Sequence, residues 1–201
     1  MRSWPLALWL AVTLFGVEAR ADRGFSAGEM SALGSGRLVA RPMRNARSSL
    51  VGGTSWIVVD ADWRTVWRAL TDFPAYTRIF PRTTSSRLVQ RSGQVRIVAM
   101  SQGNSVVRVD YALRAVLAPA KREITFRVDR RRPHGLRDGW GFFNLEPKEG
   151  GKTLVSYGVV VDPGSPVVQG LFSRSMREQL LGVPKRLKRW IEGTGASRYR
   201  G

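Results

Sequence analysis

The chain has 201 residues, with 33 basic against 15 acidic side chains, a formal charge of +18 and no cysteine. That length builds one domain with a real core and is too short for two, and the missing cysteines exclude disulfides, cysteine metal sites and a lipoprotein anchor. The positive charge, mostly arginine and spread along the whole chain, suits an anionic partner and informs association rather than fold.

Met1-Arg2-Ser3 is a short basic start, Trp4 to Val17 is an apolar run, and Ala19-Arg20-Ala21 is a small-x-small cleavage pattern. This is the layout of a secretory signal peptide over residues 1–21, with the processed chain starting at Asp22 and bound for the periplasm or the medium. The run is shorter than the roughly 20 apolar residues of a membrane span; an uncleaved N-terminal anchor is the alternative. No twin arginine precedes it, which favours the general secretory route. Export argues against a nucleic-acid partner and makes anionic lipid headgroups at an envelope surface the more natural one.

Ser26-Ala27-Gly28-Glu29 fits a capping box, opening a short helix from Ala27 to Leu33 that Gly34 ends. Arg37 to Arg41 reads as a strand that can pair with Thr54 to Val59, and Gly52-Gly53 marks a break before the latter. From Trp63 to Leu70, Trp63, Val66, Trp67 and Leu70 recur at i, i+3, i+4 and i+7, an amphipathic helix with Asp60 or Asp62 as N-cap. Pro74 blocks its continuation, so Asp72 to Phe80 forms a bend or second short helix before Pro81.

Strands follow in close order. Arg87 to Arg91 is the weakest. Val95 to Ser101 is clearer, with hairpin chemistry at Gln102-Gly103-Asn104. Between Ser105 and Leu117, Val107, Val109, Tyr111, Leu113, Ala115 and Leu117 face one way while Arg108, Asp110 and Arg114 face the other, so one side is dry and one wet. After the turn Ala118-Pro119-Ala120-Lys121 come Ile124 to Val128, the loop Arg130 to Gly139, Trp140 to Glu146, the turn Lys148-Glu149-Gly150-Gly151 and Thr153 to Val161, an antiparallel meander. Beyond Asp162-Pro163-Gly164-Ser165-Pro166, an apolar stripe runs from Val168 and Leu171 through Val183 and Leu187 to Trp190 and Ile191. It predicts one long helix that Pro184 kinks without ending. Gly193 to Gly201 reads as a frayed basic tail.

Three local patterns within this order carry a resemblance. The first is Val59-Asp60-Ala61 followed by Val66-Trp67 and Leu70-Thr71-Asp72-Phe73, with Tyr76 and Pro81 beyond. The second is Phe143-Asn144-Leu145-Glu146-Pro147 leading to Gly151-Lys152-Thr153-Leu154-Val155-Ser156-Tyr157, with phenylalanine where tryptophan is usual. The third is Val161-Asp162-Pro163-Gly164 with Pro166. Over residues 54–193 the chain resembles the START/SRPBCC superfamily, which includes lipid-transfer START domains, coenzyme Q-binding proteins and polyketide cyclases. The resemblance implies an α+β helix-grip fold, a curved antiparallel sheet of about six to seven strands wrapped around a long C-terminal helix with a ligand pocket between them. Residues 22–53 form an extension outside that pattern, and residues 194–201 form a basic tail.

A pocket of this kind needs an apolar concave face with a few polar anchors. The dry strand face offers Val109, Tyr111, Leu113, Phe126, Phe143, Val155 and Tyr157. The helix offers Phe172, Met176 and Leu180, and Tyr76, Ile79 and Phe80 lie where the entrance would be framed. Tyr111 and Tyr157 are the candidate polar anchors, since a buried hydroxyl needs a partner, and Met176 suits an adaptable wall. A solidly packed core is the competing reading of the same residues.

Catalytic chemistry finds little support. His134, the only histidine, lies in an arginine-rich loop expected to be exposed; Asp110 faces the wet side, and Asp138 and Glu146 sit near turns. No nucleophile–base pair, phosphate loop or metal-ligand spacing is present, so no catalytic residue, metal or cofactor is expected. A membrane-facing surface is expected at Arg130, Arg131 and Arg132 and, off the apolar stripe of the last helix, at Lys185, Arg186, Lys188 and Arg189. The expectation is an exported, monomeric binding or carrier protein for a lipid, isoprenoid or quinone-like molecule, in transient contact with an anionic membrane surface and without a nucleic-acid partner. A cyclase/aromatase-type enzyme and a ligand-free interaction module remain the alternatives.

Overall fold

Strands β1 (Val39–Pro42), β2 (Val51–Val59), β3 (Thr83–Ser92), β4 (Val95–Gly103), β5 (Arg108–Ala118), β6 (Glu123–Val128), β7 (Asp138–Lys148) and β8 (Lys152–Asp162) form one antiparallel sheet. Their spatial order is β1-β2-β8-β7-β6-β5-β4-β3. Helices are α1 (Ala27–Gly34), α2 (Trp63–Thr71), α3 (Tyr76–Ile79), α4 (Arg174–Leu181), α5 (Val183–Glu192) and α6 (Ala196–Tyr199). The structure, a computed structural model, describes residues 24–43, 50–103, 108–164 and 174–199, with 174–176 described by backbone alone. The signal-peptide segment, the turn at Asn104 with Ser105 and Val107, and Ser165, Pro166, Val168, Leu171 and Phe172 lie outside these residues, as does the Met176 side chain.

The sheet has eight strands rather than the six to seven expected. The count includes β1, the strand expected near residues 37–41, which pairs with β2 as anticipated, in register Val39↔Trp56 through Pro42↔Gly53. β2 also starts earlier than expected, at Val51, so Gly52-Gly53 does not break the strand but lies within it. A Cβ on Gly52 would meet the Val159 carbonyl oxygen at 2.0 Å, and glycine is what lets β2 lie this close against β8. At the opposite edge, β3 runs from Thr83 to Ser92 rather than Arg87 to Arg91, with register shifts at Thr83/Ser85 and Leu88/Gln90 that bend it.

Local chemistry places the helices. Ser26 and Glu29 form the expected capping box. Leu33 of α1 packs with Val39, Trp56 and Leu154, giving the outer face of the β1–β2–β8 end its own small apolar cluster. Arg41 lies over the rings of Phe25 and Trp56, at 5.5 and 5.3 Å, and pairs with Glu29 at 2.7 Å. Asp62, not Asp60, caps α2, accepting from the Arg64 and Thr65 amides at 2.8 and 3.1 Å. Val66, Ala69 and Leu70 bury the apolar face of that helix, while Trp63 and Trp67 are half-buried.

Two expectations about the C-terminal end change. The long helix is divided at Gly182 into α4 and α5, because Pro184 in the first turn of α5 has no N–H to continue the ladder. The apolar stripe nonetheless stays in register, and Leu180, Leu181, Val183, Leu187 and Ile191 are all buried. The tail is not frayed: residues 196–199 form a helical turn, and Tyr199 is 4% exposed.

Candidate ligand site between the sheet and the helices

Alternation along the strands sends Val109, Tyr111, Leu113, Phe143, Val155 and Tyr157 to one face, where they join a single core cluster. α2, α3 and the α4–α5 pair close over that face with Leu70, Ile79, Leu180 and Leu187. Eleven expected ligand residues are therefore brought together: Tyr76, Ile79, Phe80, Val109, Tyr111, Leu113, Phe126, Phe143, Val155, Tyr157 and Leu180, with Phe126 half-buried and the rest buried. Tyr76, Ile79 and Phe80 are packed inward on the sheet rather than standing at a rim.

Aromatic rings organise one part of this interior. The Tyr157 ring lies 4.7 Å from that of Phe143, 6.3 Å from Phe126 in a stacked arrangement, and 6.5 Å edge-on from Phe80. Phe80 in turn lies 4.7 Å from Tyr76. Phe126 can lie across the sheet because its cross-strand neighbour is Gly141, where a Cβ would meet the Phe126 ring at 2.6 Å.

The three tyrosine hydroxyls in this region have different fates. Tyr76 donates to the Leu70 carbonyl at 2.8 Å, pinning α3 against the end of α2. Tyr111 donates to Gln102 Oε1 at 2.6 Å, and the Gln102 amide donates to Pro81 O and Thr83 Oγ1, each at 3.1 Å. Tyr157 is completely buried, and its hydroxyl has no partner among the described residues. Burial pushes its pKa far up, and the nearby Tyr111 and Tyr76 push it further. Burial raises the pKa of Tyr76 and Tyr111 as well, so all three remain protonated at any physiological pH.

Ser55 is a site residue the sequence reading missed. It is the cross-strand partner of Tyr157, it is 0% exposed, and its Oγ also lacks a partner among the described residues. The available signal was parity: counting back by two from Val59 and Ile57 puts this lone serine on the inner face. Leaving such a hydroxyl unbonded costs about 1–3 kcal/mol, so two adjoining strands present unmet hydrogen-bonding capacity inside an otherwise apolar interior.

The expected membrane residues are scattered. Arg130 donates to the buried carboxylate of Asp138 at 2.8 Å, beside Arg127 at 2.6 Å. Arg132 reaches Gln90 at 2.8 Å and Asp129 at 3.4 Å. Arg131, Lys185 and Arg189 are exposed and Arg186 is half-buried. Lys188 is turned inward, its amine on the Val58 carbonyl at 3.0 Å and on Glu192 at 2.6 Å. His134 is exposed, as its loop suggested.

An open curved sheet clasping terminal helices over an apolar interior defines the helix-grip class. The family described as polyketide cyclase/dehydrase and lipid transport matches residues 53–188, and the chain belongs to it, within the START/SRPBCC superfamily. Among curated proteins no sequence matches significantly. A STAR-related lipid transfer protein from Xanthomonas axonopodis is similar in structure, with TM-score 0.64 and 17% identity, covering 77% of this chain and 93% of that one. A Thermus thermophilus protein gives TM-score 0.60 and 16% identity, covering 72% and 97%. The Zhui aromatase/cyclase of a Streptomyces species gives 0.53 and 15%, covering 70% and 95%. At these identities the likeness is one of fold.

Proposed function

We propose that the protein binds or carries a hydrophobic small molecule, a lipid, isoprenoid or quinone-like compound with at least one polar group, held between the inner sheet face and the terminal helices. The observation that carries this reading is the Tyr157 hydroxyl, fully buried and, like that of its cross-strand neighbour Ser55, without a hydrogen-bond partner among the described residues. A ligand hydroxyl or carbonyl meeting that donor recovers its hydrogen bond, while the ligand's apolar part gains about 25 cal/mol for each Å² removed from water.

In this reading the chain is exported, with residues 1–21 removed, and works at an envelope or outside the cell. N-terminal sequencing of protein recovered from a secreting bacterial host is expected to begin at Asp22; a chain that retains Met1 rejects this part. The ligand is tested by native mass spectrometry of the processed protein, followed by solvent extraction. An adduct that releases a lipid or quinone supports the proposal. A clean apo mass that does not shift with added fatty acids, phospholipids or quinones overturns it and leaves the ligand-free interaction module.

A further inference from the structure

The outer side of the sheet, away from α4 and α5, has a different composition. Arg114, Arg127, Trp140 and Val160 follow one another in register across β5, β6, β7 and β8. Neighbouring strands lie about 4.8 Å apart, so this is a continuous row. Trp140 is 39% exposed and stands beside the exposed Arg127. Two positions along β7 on the same side, Phe142 lies flat over Gly158, where a Cβ would meet its ring at 2.3 Å.

Next to this row the sheet surface is hollow. Ala99 and Ala112, a cross-strand pair of small side chains, lie in the floor of a depression of about 370 Å³ whose lining includes Arg87, Arg108 and Arg132, together with Asp110, which Arg108 neutralises. Four aspartates on this side are each held by an arginine: Asp110 by Arg108, Asp129 by Arg132, Asp138 by Arg127 and Arg130, and Asp162, the cross-strand partner of Asp138, by Arg137. Arg87 and Arg114, both exposed, have no carboxylate within ion-pair distance among the described residues. The face therefore carries a positive surplus, an anion-sized hollow rimmed by guanidinium groups, and a half-exposed indole of the kind that settles at a lipid–water boundary.

We propose that this outer face docks the protein on a bilayer surface rich in anionic phospholipid, with a headgroup phosphate in the arginine-rimmed hollow and Trp140 at the level of the headgroups. Docking on this side leaves α4 and α5 facing away from the bilayer, and it does not depend on which ligand fills the interior.

Flotation of the protein lacking residues 1–21 tests this, using vesicles of phosphatidylcholine with and without phosphatidylglycerol, at low and high salt. Binding is expected only with phosphatidylglycerol and is expected to weaken as salt rises. The Arg87→Gln/Arg114→Gln variant is expected to bind about thirtyfold more weakly, from roughly fivefold per basic residue at such a surface, and Trp140→Ala also loses affinity. The Lys185→Gln/Arg189→Gln variant on α5 is expected to bind like the parent. Thermal unfolding and native mass spectrometry of each variant separate docking from folding and from ligand uptake. Equal binding to both vesicle types, no binding at all, a loss carried by the α5 variant, or duplex DNA displacing the protein from vesicles would each overturn the proposal.

Discussion

The Tyr199 hydroxyl donates to Asp72 Oδ2 at 2.7 Å, joining the last helical turn to the residue that ends α2. The same hydroxyl accepts from the Trp190 indole at 3.1 Å, Arg198 makes a two-pronged bond to Asp72 at 2.6 and 3.2 Å, and Arg68 donates to the Tyr199 carbonyl. Three elements, α2, α5 and α6, are thereby tied together beside the Phe73–Ala75 turn that leads into α3. Tyr199→Phe removes the bond to Asp72 and orphans the indole N–H, and is expected to lower stability by about 1–3 kcal/mol. Urea unfolding should show a lower midpoint at unchanged slope; an unchanged midpoint would show that the tail contributes nothing.

Tyr157 gives a sharper test, because removing an unpartnered hydroxyl has opposite effects on folding and on binding. In Tyr157→Phe the aromatic packing with Phe143 and Phe126 is retained while an unpaired buried group disappears. The ligand-free protein is therefore expected to gain up to about 1–3 kcal/mol of stability, and ligand affinity is expected to fall by about tenfold or more, the worth of one hydrogen bond to a buried donor. Thermal unfolding of delipidated protein and titration of the extracted ligand measure the two. A variant both less stable and fully competent in binding would remove Tyr157 from the site. Ser55→Ala is expected to behave in the same sense and more weakly.

Asp138 links stability to pH. Burial alone would raise its pKa, but hydrogen bonds from Arg127 and the Gly139 amide, with the charges of Arg127 and Arg130, outweigh burial and lower it. A carboxyl whose folded pKa is depressed contributes stability that is present above its unfolded pKa, roughly 3.9, and is lost as pH falls through the lower folded value. Asp138→Asn is therefore expected to destabilise at neutral pH by about 1–3 kcal/mol, since both arginines are more than half exposed and partly screened. The difference from the parent should shrink below about pH 4. Chemical denaturation across pH 3 to 8 checks this; a gap that stays constant with pH would contradict the assignment.

How much of this was legible beforehand depended on whether the deciding physics was local. The capping box at Ser26 and Glu29, the α2 stripe and the β5 alternation follow from spacing alone, and the structure keeps them. The inward strand set from Val109 to Tyr157 was legible because period-two alternation fixes faces once strands are recognised. What was missed depends on contacts between distant segments. Gly52-Gly53 reads as a break until Val159 is seen to need the room. Residues 196–199 look like a basic tail because Tyr199 is held by distant residues, among them Asp72, 127 positions earlier. Asp138, next to a loop in sequence, is buried because two arginines from β6 and the following loop fold over it.

Two glycines allow packing and propensity to be separated in one experiment. Gly141 lies beneath the Phe126 ring, and a Cβ there would meet ring carbons at 2.6 and 2.8 Å and the Gly158 carbonyl oxygen at 2.3 Å. The carbonyl is backbone of the adjacent strand and cannot swing away, so Gly141→Ala must displace β8 or expel Phe126 from its stack on Tyr157. A loss of about 1–3 kcal/mol is expected, the usual cost of overpacking, together with a change in the near-ultraviolet signal of the aromatic cluster. Gly28, in the first turn of α1, has an ordinary helical backbone, and a Cβ added there would have nothing within 4 Å. Gly28→Ala is expected to add up to about 0.5–1 kcal/mol by restricting the unfolded chain, with the near-ultraviolet spectrum unchanged. If both substitutions shifted stability alike, the close approach of Phe126 to β7 would not be what Gly141 is there to permit.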